Sequence, residues 1–433
     1  MNIAFTKHTL DNGLDVVLHE DHACPIVAVN VWYHVGSKNE RFGRTGLAHL
    51  FEHLMFEGSE HCQRGFFQPL QGAGATLNGS TNADRTNYWE VVPTGALELA
   101  LWMESDRMGY LLPALTPEKF NNQRDVVLNE RRQNYENRPY GLAPMALLHA
   151  LFPDDHPYHW TTIGEIEDVR AVELEELRAF FRRYYHPANA SLAIAGDIDP
   201  PHALDLAAQC FGELPAGDAV PPVRASAALA GDTRILIEDR VELPRLYLAW
   251  LTPAMFAPGD ADLDLATDLL ANGKTSRLYR RLVFDERIAT DVSASQNSRE
   301  IAGYAQITAT AAPGHSLAEL ERAILDEIAK LAAEGPTDEE MARGRVQAES
   351  QFVFRLQTVG GFGGKSDQLN AYNVFLDDPN YFDRDLLRYQ AVTRESLQAS
   401  AGYLDPRARV TLSIVPRDRA ALAAPDSAPV HVT

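Results

Sequence analysis

The chain has 433 residues, beyond the roughly 250–300 at which a single core stops growing, so two or more domains are expected. Hydrophobic residues at 45% and charged residues at 23% are the balance of an ordinary globular protein. The formal net charge of −21 argues against nucleic acid or an anionic membrane surface as partner, because both select for Lys and Arg.

Taken in chain order, residues 1–22 lack a basic stretch followed by an apolar one, so they do not read as a signal peptide as written. A cytoplasmic location is expected, and a periplasmic one if a leader has been removed. No apolar run reaches the roughly 18–20 residues of a membrane span. Residues 3–36 read as strands: a turn signal in "NGLDVVLHED", then apolar alternation in "PIVAVNVWYHVGS". Residues 46–57 carry a helical period. Gly74–Pro93, "GATLNGSTNADRTNYWEVVP", reads as a hairpin with β-prone arms around an Asn/Asp turn. "GALELALWMESDRMGYLL" is an amphipathic helix, and "TPEKFNNQRDVVLNERRQNYEN" is another, opened by Thr116 as cap and Pro117 at the first helical position. "HPANASLAIAGDIDP" returns to a strand. Helices and strands mix without steady βαβ alternation, which predicts an α+β fold.

Gly212–Asp232, "GELPAGDAVPPVRASAALAGD", is rich in Pro, Ala and Gly and has no apolar period. It divides the chain into an expected first domain at 1–215, a linker at 216–232 and a second domain at 233–433. The halves repeat one order: strand, helix, hairpin, helices, strand. Setting Gly58 against Gly273 places Asp264, Thr267 and Asp268 opposite His49, Glu52 and His53. The pattern predicts an internal duplication whose second copy keeps a helix without the imidazoles. The three cysteines, Cys24, Cys62 and Cys210, are odd in number and widely spaced, so they form neither a disulfide framework nor a thiolate metal site.

The chemistry concentrates at His49-Leu-Phe-Glu52-His53. On a helix, i and i+4 share a face with Cβ atoms about 5–6 Å apart. Two imidazoles there converge on one Zn²⁺ at about 2.0–2.1 Å. Glu52 lies on the same face, placed to accept a proton from water acidified by the ion. A hydrolytic zinc needs a third protein ligand, and the following helix offers Glu118, Glu130 and Glu136. Phe120 and Val127, less tidily Val126 and Leu128, mark that helix's buried side. Glu130 follows the apolar positions at helical spacing and points inward, where a carboxylate needs a partner.

HxxEH is the reverse of the HExxH motif and defines the inverzincins. With the hairpin and "RDVVLNERRQ", the chain resembles the pitrilysin/insulinase family of zinc peptidases over essentially its whole length. In that family 76 residues separate HxxEH from a glutamate ligand; here 54–129 intervene and the next residue is Glu130. The resemblance implies one zinc per chain, held by His49, His53 and Glu130, with Glu52 as general base for peptide hydrolysis. It implies a supporting role for Gln123, where the family usually carries Glu. It implies a substrate-binding edge at Leu77, Asn78, Gly79 and Ser80, on which an extended peptide adds as a strand. It also implies two homologous α/β sandwich-like domains forming half of a clamshell. Short chains of this type resemble mitochondrial processing peptidase subunits, so the expected partner is a second copy, or a related chain without HxxEH. A non-catalytic structural subunit of the same fold, and a zinc hydrolase of another substrate class, are the alternatives.

Two further stretches carry bland readings beside functional ones. "DDHPYHW" (154–160) could turn or bind a second metal. "GGFGG" (360–364) followed by Lys365 lacks the spacing of a phosphate loop and reads as a flexible loop near substrate.

Overall fold

The computed structural model describes residues 3–431. They form two compact units, each drawn from three stretches of chain. Among the described residues, the first unit takes 3–130, 161–223 and 351–384; the second takes 131–160, 224–350 and 385–431.

The first unit is built on β1 (Thr6–Thr9), β2 (Asp15–Glu20), β3 (Ile26–Tyr33), β4 (Thr76–Thr81), β5 (Thr86–Pro93) and β6 (Ala190–Gly196). They form one mixed sheet in the order β1-β2-β6-β3-β5-β4. The β2–β6 pair is parallel, and β6 returns antiparallel to β3. The predicted hairpin is β4 and β5, in register from Thr76↔Val91 to Thr81↔Thr86. Alternation assigns the two faces. Tyr88 of β5 meets the helix Leu47–Leu54, its hydroxyl donating to Phe51 O at 3.4 Å. On the other face, Asn30 and Trp32 of β3 and Asn87 of β5 all donate to Asp367 Oδ1, at 3.3, 2.9 and 3.1 Å. Asp367 opens the helix Lys365–Leu376, which thereby covers that face.

The second unit repeats the plan with β7 (Thr233–Asp239), β8 (Arg245–Thr252), β9 (Ala289–Asn297), β10 (Gly303–Ala311), β11 (Val410–Pro416) and β12 (Ala428–Pro429). Its order is β12-β7-β11-β8-β10-β9. The central series β7-β11-β8-β10-β9 reproduces β2-β6-β3-β5-β4, including the parallel pair β11–β7. The helix Leu317–Glu334 opens on a capping box between Ser316 and Glu319 and buries Leu317, Leu320, Ile324, Ile328 and Leu331. The α+β class and the duplicated mixed-sheet architecture are thus both present. Residues 215–230 carry neither helix nor strand. Among the described residues, no helix is long and apolar enough to cross a membrane.

Candidate metal centre

The helix Leu47–Leu54 begins abruptly, and its start is built by neighbours in space. Gly46 caps it at φ 88°, a left-handed conformation glycine adopts without strain. A Cβ there would also stand 2.7 Å from Val169 Cγ2. The buried Glu40 carboxylate accepts from Gly46 N at 2.9 Å and Ala48 N at 2.8 Å, satisfying amides the helix leaves unpaired. Burial pushes the Glu40 carboxyl up to about 8, against the backbone donors of Ala48, Gly46 and Leu47. Leu47, Ala48, Leu50, Phe51 and Leu54 turn inward. That leaves His49, Glu52 and His53 on the remaining face.

The helix Pro117–Arg131 brings the third group. Thr116 Oγ1 accepts from Lys119 N at 3.2 Å, which makes it the predicted cap. Phe120, Val127 and Leu128 are buried, whereas Val126 is 44% exposed and lies off the buried stripe. Glu130 Oε2 lies 3.3 Å from His53 Nε2 and 3.8 Å from His49 Nε2. The two rings stand 4.9 Å apart at 81°. One potential ligand atom from each of the three residues falls within 4.8 Å of the others, the one such group among the described residues. Of the other carboxylates considered, Glu136 accepts from Arg131 at 2.6 Å, and Glu118 is exposed in the first turn.

This arrangement fits a zinc ion. Bonds of about 2.0–2.2 Å in a tetrahedral shell set ligand atoms roughly 3.3–3.6 Å apart; the His53–Glu130 separation of 3.3 Å meets that spacing and the His49–Glu130 separation of 3.8 Å lies just beyond it. Two imidazoles and one carboxylate are the His₂Glu set of a catalytic site. Burial lowers the His49 pKa and so favours the neutral, ligating form. Burial also lowers that of His53, but the hydrogen bond and charge of Glu130 outweigh it and the net shift is upward. His49 Nδ1 is buried without a hydrogen-bond partner.

Gln123 lies two turns before Glu130. Its amide nitrogen donates to Glu57 Oε1 at 2.7 Å. Sequence reasoning missed Glu57, although its spacing of four from His53 is the signal that would have found it. Glu40, separated from the helix by an irregular loop, left no such signal.

The predicted edge is β4, the last strand of its sheet. Leu77 and Ser80 are half-buried, Asn78 is exposed and Gly79 is buried. A Cβ on Gly79 would approach the Tyr88 ring to 2.9 Å, so glycine keeps the strand close to its neighbour. Asn78 Oδ1 accepts from Gly79 N at 2.8 Å. Arg85 Nη1 braces the end of the strand through Ser80 O at 2.8 Å and Ser80 Oγ at 2.6 Å.

The other motifs resolve differently. The 360–364 turn packs on the first unit's sheet, where a Cβ on Gly360 would meet Ala28 and Val91 at 2.6 Å. Gly363 N donates to Asp367 at 2.8 Å, and Lys365 pairs with Asp21 at 2.6 Å. In the second unit, Asp264 accepts from Tyr389 at 2.6 Å and Asp268 from Asn272 at 3.0 Å. In the 154–160 stretch, His156 is buried and stacked on Phe152 at 4.6 Å, and its Nδ1 accepts from Tyr158 N at 3.0 Å. Burial lowers its pKa from 6.5 to about 4. A depressed histidine adds stability that is full above the unfolded value and is lost as pH falls through the folded value. The second unit is therefore expected to weaken as pH falls from 6.5 to about 4. His156→Phe should flatten that slope in urea titrations at several pH values, and an unchanged slope would rule this source out.

Comparison with known proteins finds two family models along the chain. Residues 15–159 match the family model "Insulinase (Peptidase family M16)", and 171–347 match "Peptidase M16 inactive domain". "Zinc protease PqqE" of Helicobacter pylori is 28% identical over 82% of this chain and 81% of its own length. A "Probable mitochondrial-processing peptidase subunit beta, mitochondrial" of Arabidopsis thaliana is 24% identical over 80% of this chain and 67% of its own. The crystal structure of a protease from Helicobacter pylori superposes with a TM-score of 0.89 at 25% identity, covering 96% of this chain and all of that one.

Proposed function

Because the chain belongs to the insulinase (M16) family of peptidases, whose relatives are named zinc proteases, we propose that it is a zinc-dependent endopeptidase. It cuts unfolded peptides in a chamber completed by a partner subunit. The observation that carries this reading is the convergence of His49, His53 and Glu130, with Glu52 on the same helical face.

When bound by His49, His53 and Glu130, zinc supplies a Lewis acid that polarises a carbonyl and lowers the pKa of water toward about 7. Glu52 takes the proton from the attacking water and then delivers it to the leaving amine. The free edge of β4 holds the peptide in extended form through backbone hydrogen bonds, which are blind to sequence, so selectivity falls to side-chain pockets. Asn78 shields Gly79 N until a peptide arrives, and an incoming carbonyl takes its place. The partner is a second copy or a related chain without HxxEH, a reading supported by the relative named as a subunit.

The test is cleavage of a quenched, unstructured peptide by the purified chain, alone and with related chains. Chelation is expected to abolish cleavage, and one zinc per chain to restore it. A chain that binds zinc and cuts nothing in any pairing would instead be a non-catalytic subunit.

A further inference from the structure

We propose that a recess in the first unit, walled by aromatic rings and rimmed by arginines, binds the carboxylate of a small apolar acid or of a peptide C-terminus. The recess has a volume of about 260 Å³ and lies between residues 39–47 and the helix Leu174–Tyr184. Helical spacing turns one face of that helix into it. Glu176, Phe180 and Arg183 line the recess one turn after another, while Leu177 and Phe181 pack into the core. Arg41, Arg44 and Leu47 close it from the other side. Residues two apart on a helix are rotated by about 200°. Leu47 therefore faces away from His49, and the recess lies on a different side of that helix from the metal centre.

Charge sets the chemistry of the ligand. The whole chain carries a formal charge of −21, yet this rim is cationic. Arg44 Nε and Arg41 Nη2 meet the same oxygen, Glu176 Oε1, at 2.9 and 3.6 Å. Among the described residues, the Arg183 guanidinium has neither an ion-pair nor a hydrogen-bond partner. Glu40 also borders the recess, but its two oxygens accept from Gly46 N and Ala48 N, and burial keeps its carboxyl up at about 8. Glu176 thus answers three guanidinia. A planar guanidinium matches a carboxylate through two parallel hydrogen bonds, so an incoming carboxylate completes the rim. The walls select what stands behind that charge. The Phe180 and Tyr184 rings lie 4.7 Å apart at 55°. The Tyr184 hydroxyl donates to Asn39 O at 3.3 Å, which leaves ring surface for an apolar body. The volume falls below the roughly 300–1,000 Å³ of pockets for drug-sized ligands, so it suits one apolar group.

The experiment is calorimetric titration of the full chain with phenylacetate, phenylacetamide, acetate, and acetyl-Ala-Ala-Phe with a free or an amidated C-terminus. Zinc also binds carboxylates, so each titration is repeated with a chelator present. Phenylacetate is expected to fill one site per chain. Phenylacetamide should bind about 10-fold more weakly or worse, the effect of losing a charge-assisted hydrogen bond. Acetate should fall about as far, because it lacks the apolar body. Arg183→Gln and Arg44→Gln should each weaken phenylacetate about 10-fold. Arg182→Gln removes an exposed charge that does not line the recess, and should leave affinity within about 3-fold of wild type. Tighter binding of the free peptide than of phenylacetate identifies a peptide C-terminus as the source of the carboxylate; the reverse order identifies a small acid. Equal affinity of the unsubstituted chain for phenylacetate and its amide overturns the proposal without recourse to a variant. An Arg183→Gln effect no larger than that of Arg182→Gln overturns it too. So does binding that vanishes with chelator, which would place the acid on the metal.

Discussion

Glu52→Gln is expected to reduce peptide cleavage by about 10³-fold, within the 10²–10⁴ that a positioned base contributes. This corresponds to roughly 4 kcal/mol of transition-state stabilisation. Zinc content should stay at one per chain, because Glu52 is not among the three converging residues. Glutamine keeps the size of the side chain and its place on a half-exposed helical face, so the loss should fall on kcat more than on KM. His53→Ala is the contrasting variant: it should lose metal and activity together. Retention of a tenth or more of wild-type cleavage by Glu52→Gln would remove Glu52 from the mechanism. Loss of zinc in the same variant would make Glu52 a ligand.

The second large effect concerns the support beneath the β4 edge. Arg107 is 1% exposed and grips Glu104, which is wholly buried, through Nε at 2.9 Å and through Nη2. Its guanidinium lies 3.7 Å over the Phe66 ring and 4.1 Å over Tyr88. Glu90 of β5 is buried in the same place, and burial followed by the charge of Glu104 holds its carboxyl well above the usual range while Arg107 pulls it down. One cation thus serves two carboxyls beneath the strand that pairs with β4. Arg107→Ala leaves Glu104 buried without its partner, a loss expected to cost about 3–5 kcal/mol. Amides of β3 and β5 should exchange with solvent correspondingly faster. Arg107→Met combined with Glu104→Gln removes both charges at similar volume and should recover much of that loss. A cost below about 1 kcal/mol for Arg107→Ala, the level of an exposed ion pair, would show that water reaches the cluster.

These two predictions draw on different levels of the molecule. Glu52 could be singled out from five consecutive residues, because helical geometry alone stacks His49 and His53 and sets Glu52 beside them. Arg107 could not. In sequence it is one charged residue in an amphipathic helix, and its importance depends on Glu90, Phe66 and Tyr88, which arrive from elsewhere in the chain. The glycine-rich turn shows the same limit. Its composition suggests a flexible loop, whereas Asp367 hydrogen-bonds Gly363 on one side and the β3 and β5 side chains on the other.

What the sequence determined by itself was therefore local and periodic: the HxxEH face, the hairpin, the strand-rich start and the duplicated order of elements. These follow from repeats of 3.6 and 2 residues and from turn chemistry within a few positions. Glu130 was reachable through the resemblance in spacing, but its approach to the two histidines is a product of packing between helices. Only the tertiary structure supplied the Glu40 cap, the Glu57–Gln123 contact and the return of residues 351–384 to the first sheet. Each of these joins groups far apart along the chain or across an irregular turn, where no backbone period links one residue to the next. Burial and the need to pair buried polar groups decided those contacts.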